Sequence, residues 1–117
     1  MKIGEVCLMT NDVVRLADFY KRLLGVENNS NDPVHQVILP EETALTVYND
    51  GSVRNCGDRG ICIAFTVEDL DAEHERLIGM GVRIIQGPMI RPWGARNMSF
   101  YDPDGNVVYF RSALSLE

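Results

Sequence analysis

IGEVCLMTNDVVRLADFYKRLLGV, residues 3–26, has a shorter counterpart later in the chain, GICIAFTVEDLDAEHERLIGMGV, residues 60–82. Each begins with an extended apolar run. Each then meets an acid or amide suited to capping a helix: Asn11 or Asp12 in the first, Asp69 in the second. In the first stretch Val13, Leu16, Ala17, Tyr20, Leu23 and Leu24 recur at helical spacing, one apolar stripe. In the second, Leu70, Leu77 and Ile78 carry the stripe. Gly25 ends one helix and Gly79 with Gly81 the other, as expected where a chain turns through the left-handed region. Asp12 and Asp69 lie 57 positions apart, Gly25 and Gly81 56, so the chain is a duplication of one unit.

Strand-like runs follow each helix. VENNS, PVHQVILP and TALTVYND follow the first; VRIIQGPM, ARNMSFY and NVVYFRS follow the second. The repeated unit therefore reads β-α-β-β-β. Module one is expected over about residues 1–50 and module two over about 60–117, joined by the polar, glycine-bearing linker GSVRNCGDR, 51–59. The expected fold class is α+β. The two modules would lay their sheets side by side as one curved mixed sheet, a cup with both helices outside.

The bulk numbers narrow the function classes. A chain of 117 residues is one domain by length and buries a core without staples. A net charge of −6 with no basic run argues against nucleic acid and anionic membrane as partners. No run approaches the 18 or so apolar residues of a membrane span, and the N-terminus lacks a signal-peptide pattern. Three cysteines without paired spacing argue against a disulfide framework. The expected location is the cytoplasm.

Near the C-terminus, SFYDPDGNVVYFRS, 99–112, sets five turn-formers between two strands. Pro103 presets the backbone, Gly105 accepts positive φ, and Asp102 and Asn106 can bond turn amides. These carboxylates are turn chemistry, not catalysts. Together with IAFTVEDLD, 63–71, and PWGAR, 92–96, this turn resembles the vicinal oxygen chelate superfamily, the glyoxalase, bleomycin-resistance and extradiol dioxygenase group. The resemblance spans essentially the full length. It implies the cup fold, and a homodimer that covers open sheet edges. It leaves the activity open, since this fold hosts isomerases, lyases, dioxygenases and plain binding proteins.

The resemblance also implies where a metal would be held. Metal enzymes of the group place ligands seven residues before each helix cap, on the last strand of module one, and three residues after the Asn of DPDGN. Those positions are Glu5, Cys62, Thr46 and Tyr109. Only Glu5 is a usual ligand. A catalytic divalent site needs about three protein ligands, and phenol and hydroxyl are weak donors. The expectation is therefore no metal and no cofactor. His74 reads as a helix-face residue at a packing edge, and His35 as a rim or surface residue.

Strand alternation places Glu5, Cys7, Met9, Thr46, Tyr48, Cys62, Thr66, Tyr109 and Arg111 on one face, opposite a uniformly apolar one. Rings, hydroxyls and one charge of each sign suit a small organic ligand. Trp93 and Arg96, in a proline-stiffened stretch that also holds Arg91, are expected to cap it. Three roles are open to Glu5: a general base with a desolvated carboxyl, an anchor for the ligand, or an ion pair with Arg111. The expected function is a metal-free small-molecule-binding protein. The alternative is a glyoxalase-type lyase or isomerase, or a dioxygenase-like enzyme, that uses Glu5 as metal ligand or base.

Overall fold

The computed structural model describes residues 3, 5–54, 62–91 and 96–112. The chain divides into two compact units, Met1–Gly57 and Asp58–Glu117.

Unit one contains β1 (Glu5–Met9), α1 (Val13–Leu24), β2 (His35–Leu39) and β3 (Ala44–Tyr48). Its sheet has the order β1-β3-β2, with β1 parallel and β2 antiparallel to β3. Asp12 is the cap that starts α1, its carboxylate accepting from the Arg15 amide at 3.2 Å. Gly25 ends the helix at φ 66°, its N–H returning to the Lys21 carbonyl. Val13, Leu16, Ala17, Tyr20 and Leu23 are buried as the stripe predicts. Phe19 is buried as well, edge-on to Tyr20 with centroids 5.2 Å apart, so the buried face is wider than the stripe. The sheet answers with Leu8, Ile38, Leu45 and Val47.

The expected strand at VENNS does not form; residues 26–34 carry no strand. Asn and Ser are poor strand formers because their side chains compete for backbone groups. Here Asn28 Nδ2 donates to the Val37 carbonyl at 2.9 Å, and its Oδ1 accepts from the Ser30 amide at 2.9 Å. The Lys21 ammonium, a buried stem, donates to the Ser30 carbonyl at 2.7 Å. Unit one is thus β-α-β-β, one strand short of the expected module.

Unit two contains β4 (Cys62–Val67), α2 (Leu70–Gly79), β5 (Ile84–Ile90), β6 (Arg96–Tyr101) and β7 (Val107–Ser112). The sheet order is β4-β7-β6-β5, with β4 parallel to β7 and the other pairs antiparallel. Asp69 caps α2 through the Ala72 amide at 3.0 Å, and Gly81 completes the exit at φ 76°. Leu70 and Leu77 are buried, but Ile78 is 52% exposed and leaves the predicted stripe. Below them, Met98, Phe100, Val108 and Phe110 form the sheet side of the core, with Phe100 and Phe110 edge-on at 5.0 Å. The His74 ring lies over Gly87 of β5, 3.7 Å from where a Cβ would stand, a packing-edge position.

The turn between β6 and β7 is built around one buried carboxylate. Asp102 Oδ1 accepts from the amides of Asp104 and Asn106, both at 2.9 Å, and its Oδ2 accepts from Asn106 Nδ2 at 2.8 Å. The DPDGN carboxylates are turn chemistry, as their residue types imply.

Candidate functional site

Each sheet has a helix-covered face and an open face, and the open faces carry the polar candidates. In unit one, pairing across β1-β3-β2 sets Cys7 beside Thr46 beside Val37, and Met9 beside Tyr48 beside His35. Glu5 stands two residues before Cys7 on the same face. The Thr46 hydroxyl donates to Glu5 Oε2 at 2.7 Å. Thr46 is 3% exposed, so the hydroxyl is a fixed donor. The Glu5 carboxylate is exposed rather than desolvated, and Oε1 has no hydrogen-bond partner among the described residues. Tyr48, 36% exposed, meets the His35 ring edge-on at 5.9 Å. The Cys7 thiol lies 3.9 Å from the Met9 sulfur. Cys7 and Cys62 are both free and exposed; Cys56 lies outside the described residues.

In unit two, pairing across β4-β7-β6 gives three rows: Cys62, Val107, Tyr101; Ala64, Tyr109, Ser99; and Thr66, Arg111, Asn97. Tyr109 is half-buried over the middle row beside the buried Ser99. Arg111 Nε donates to the Thr66 hydroxyl at 3.0 Å. Glu5 and Arg111 each meet a neutral hydroxyl within their own unit.

Arg96 goes elsewhere. It shares strand parity with Met98 and Phe100 and so lies on the helix-covered side. There its guanidinium makes a two-pronged pair with Asp71 of α2, at 2.7 and 3.0 Å. That guanidinium holds the Asp71 carboxyl below the usual aspartate range, and the carboxylate raises Arg96 in turn. Arg96 is a strap between helix and sheet. Arg91 takes the open side instead, its Nε donating to Asn97 Oδ1 at 2.8 Å. Alternation along RNMSFY already separated Arg96 from Asn97, and that was the available signal. Alternation sets Thr66 on the face of Arg111, but its contact with that guanidinium, and that of Asn97 with Arg91, is readable only once the strands are paired. Trp93 lies outside the described residues.

A scan against family models matches residues 2–110 to the glyoxalase/bleomycin resistance protein/dioxygenase superfamily. The chain belongs to that superfamily. It is 29% identical over 122 residues to the uncharacterized protein YraH of Bacillus subtilis, covering 92% of this chain and 95% of that one. Among solved structures it superposes on a glyoxalase-related enzyme from Fulvimarina pelagi with TM-score 0.77 at 17% identity, covering 97% of this chain and 88% of the other. It superposes on a lactoylglutathione lyase from Agrobacterium tumefaciens with TM-score 0.73 at 17% identity, covering 96% and 93%. At those identities the structures establish the fold of the superfamily and leave the chemistry of this chain to its own residues.

Metal enzymes of the superfamily make the donor set the question to ask. Glu5, Thr46, Cys62 and Tyr109 supply one carboxylate, one thiol and two neutral hydroxyl-type oxygens. The Thr46 proton is committed to Glu5, which takes up one of the two carboxylate oxygens. Among the described residues no three His, Cys, Asp or Glu side chains cluster at metal-holding range. This donor set does not suit a hard divalent ion. No helix among the described residues is long and apolar enough to cross a membrane.

Proposed function

We propose that the chain is a metal-free small-molecule-binding protein of the superfamily, which holds an organic ligand against the open sheet faces. The observation that carries this reading is the placement of Tyr48 and Tyr109 on those faces, partly exposed, Tyr48 beside Met9 and His35 and Tyr109 beside Ala64 and Ser99. On either sheet a ring stacks on the tyrosine of that face. In unit one the Glu5–Thr46 pair offers hydrogen bonds beside it, and in unit two the Cys62 thiol and the Arg111 guanidinium do. Each sheet ends on edge strands, β1 and β2 in one and β4 and β5 in the other, so a homodimer is the expected assembly.

Two titrations test the reading. Calorimetry with zinc, nickel, manganese and iron(II) is expected to give no stoichiometric uptake; a site of micromolar affinity at one ion per chain would overturn it. A panel of small aromatic compounds, followed by amide chemical shifts, is expected to move the resonances of β3 and β7. Binding that leaves both strands unmoved would also count against it.

A second reading, an enzyme that uses Glu5, is favoured by one feature: Oε1 of an exposed carboxylate stands open at the family's first ligand position. Glu5→Gln separates the two. Turnover of a glyoxalase-type substrate that disappears in Glu5→Gln with ligand affinity intact establishes the enzyme, whereas ligand binding without turnover in the parent protein supports the binder.

A further inference from the structure

Six of the nine arginines of this chain fall into two groups. Arg15, Arg76 and Arg96 each reach a carboxylate, of Asp12, Glu73 and Asp71 respectively. Arg111, Arg91 and Arg83 do not. Their partners are the Thr66 hydroxyl, the Asn97 amide oxygen and the ring of Tyr101, over which the Arg83 guanidinium sits at 4.6 Å. Acids outnumber basic residues 17 to 11 in the sequence, so carboxylates are the plentiful partner. Three guanidinia in one unit without a carboxylate partner among the described residues is therefore a departure that calls for a cause.

They also share a place. Thr66, Arg111 and Asn97 lie in one row across β4, β7 and β6; Met89 of β5 continues it, and Arg91, two residues further along, reaches the row through its hydrogen bond to Asn97. Tyr101, which Arg83 covers, occupies the opposite end of the same open face, with Tyr109 between. No Asp or Glu stands among the described paired strand residues of this face: its other members are Cys62, Ala64, Gln86, Met89, Ser99 and Val107. A neutral acceptor on Nε holds a guanidinium in position without cancelling its charge. The outer N–H groups stay available, and their fork matches the two oxygens of a carboxylate or a phosphate.

We propose that Arg111 and Arg91 form an anion-receiving row, and that the ligand of this face is an organic anion carrying a carboxylate or phosphate group beside an aromatic or apolar body. Thr66 and Asn97 are positioning residues: they aim the guanidinia and do not touch the ligand's charge themselves. The proposal deepens the binding function proposed above and rests on it. It adds the charge class of the ligand and brings in Arg91.

The experiment uses phenyl phosphate, benzoate and the neutral benzamide as probes on the intact protein, followed through the arginine Nε–H resonances and calorimetry. The two anions are expected to shift the Arg111 and Arg91 Nε–H signals and to bind more weakly as salt rises. Arg111→Met is expected to cost about tenfold or more in anion affinity, since a charge-assisted fork is lost. Arg76→Gln, which removes an equal charge on α2, is the control and should cost little. Thr66→Val keeps both charges and is expected to weaken anion binding with the Arg111 signal broadened. Benzamide bound as tightly as benzoate would overturn the anion row and leave the binding function standing. Anions that bind equally well to Arg111→Met and to the parent protein, while its fold is intact by circular dichroism, would also overturn it. If phenyl phosphate binds more tightly than benzoate, a phosphate-bearing ligand is indicated; the reverse order indicates a carboxylate.

Discussion

The two units are built to one plan and finished differently. Both begin with a strand, cap a helix with Asp, and lay that helix over a sheet. On the covered side they differ in how the helix is held. α1 buries Val13, Leu16, Ala17, Phe19, Tyr20 and Leu23, with the stem of Lys21; α2 buries only Leu70 and Leu77 and adds the Asp71–Arg96 pair. On the open side they differ in sign. Unit one presents Glu5 and no arginine or lysine on its sheet; unit two presents Arg111 and Arg91 and no acid, among the described residues. The helix side answers to packing, which fixes residue types. The open side is free of that constraint, and the same scaffold carries a carboxylate in one copy and guanidinia in the other.

The largest test of this contrast is at α2. Leu77 is fully buried and has few companions, so Leu77→Ala is expected to cost about 2–5 kcal/mol by urea unfolding. Ile78→Ala, one residue on, removes a half-exposed side chain and is expected to cost less than about 1 kcal/mol. Equal losses would mean that α2 packs through the wider face that the sequence stripe implied. A related effect is expected at the β6–β7 turn. Asp102→Ala orphans the Asp104 and Asn106 amides in a buried setting and should cost roughly 2–3 kcal/mol.

Much of this was legible in the sequence, and for physical reasons. Duplicated caps and terminal glycines are local signals, read without knowing the fold; hence Asp12, Asp69 and Gly25 were placed correctly. Alternation on short strands needs no partner either, and it put Thr46 on the face of Glu5, where its hydroxyl donates to the carboxylate. The errors came where a second element decides. VENNS has room for a strand, but Asn28 bonds the edge of β2 with its side chain instead. Ile78 follows the helical period, yet the sheet beneath α2 does not reach it. Arg96 was assigned by its neighbourhood in sequence to a ligand, and Asp71, 25 positions away, claims it. That Asn97 stands beside Arg111 and holds Arg91 depends on the pairing of strands far apart in sequence.

A smaller effect separates the helices at their first turns. Asp12→Ala and Asp69→Ala are each expected to cost about 1 kcal/mol, the usual worth of a cap. The amides of α2 should then exchange faster than those of α1, because two buried leucines hold α2 where six buried apolar residues hold α1. Comparable protection in the two capped variants would remove the asymmetry drawn between them.

The smallest effect is electrostatic, and its pH dependence makes it specific. Asp71 is depressed from the ordinary 3.8, first by the hydrogen bond from Arg96 and then by the charge of that group. A carboxyl whose folded-state pKa lies below its unfolded value binds fewer protons when folded. Its contribution is therefore complete above the ordinary aspartate value and disappears as pH falls through the depressed one. Both partners are well exposed, so solvent screens the pair and the shift in unfolding midpoint at neutral pH is small. Arg96→Gln is expected to lower the midpoint slightly at pH 7 and to match the parent once Asp71 is protonated, on the acid side of 3.8. Arg111→Gln provides the comparison. Its partner is the Thr66 hydroxyl, which does not titrate in this range, so any difference from the parent should stay flat across the same window. An Arg111 variant that converged with the parent in acid would mean a carboxylate stands within its reach, and the line between a strapping arginine and a binding arginine would have to be redrawn.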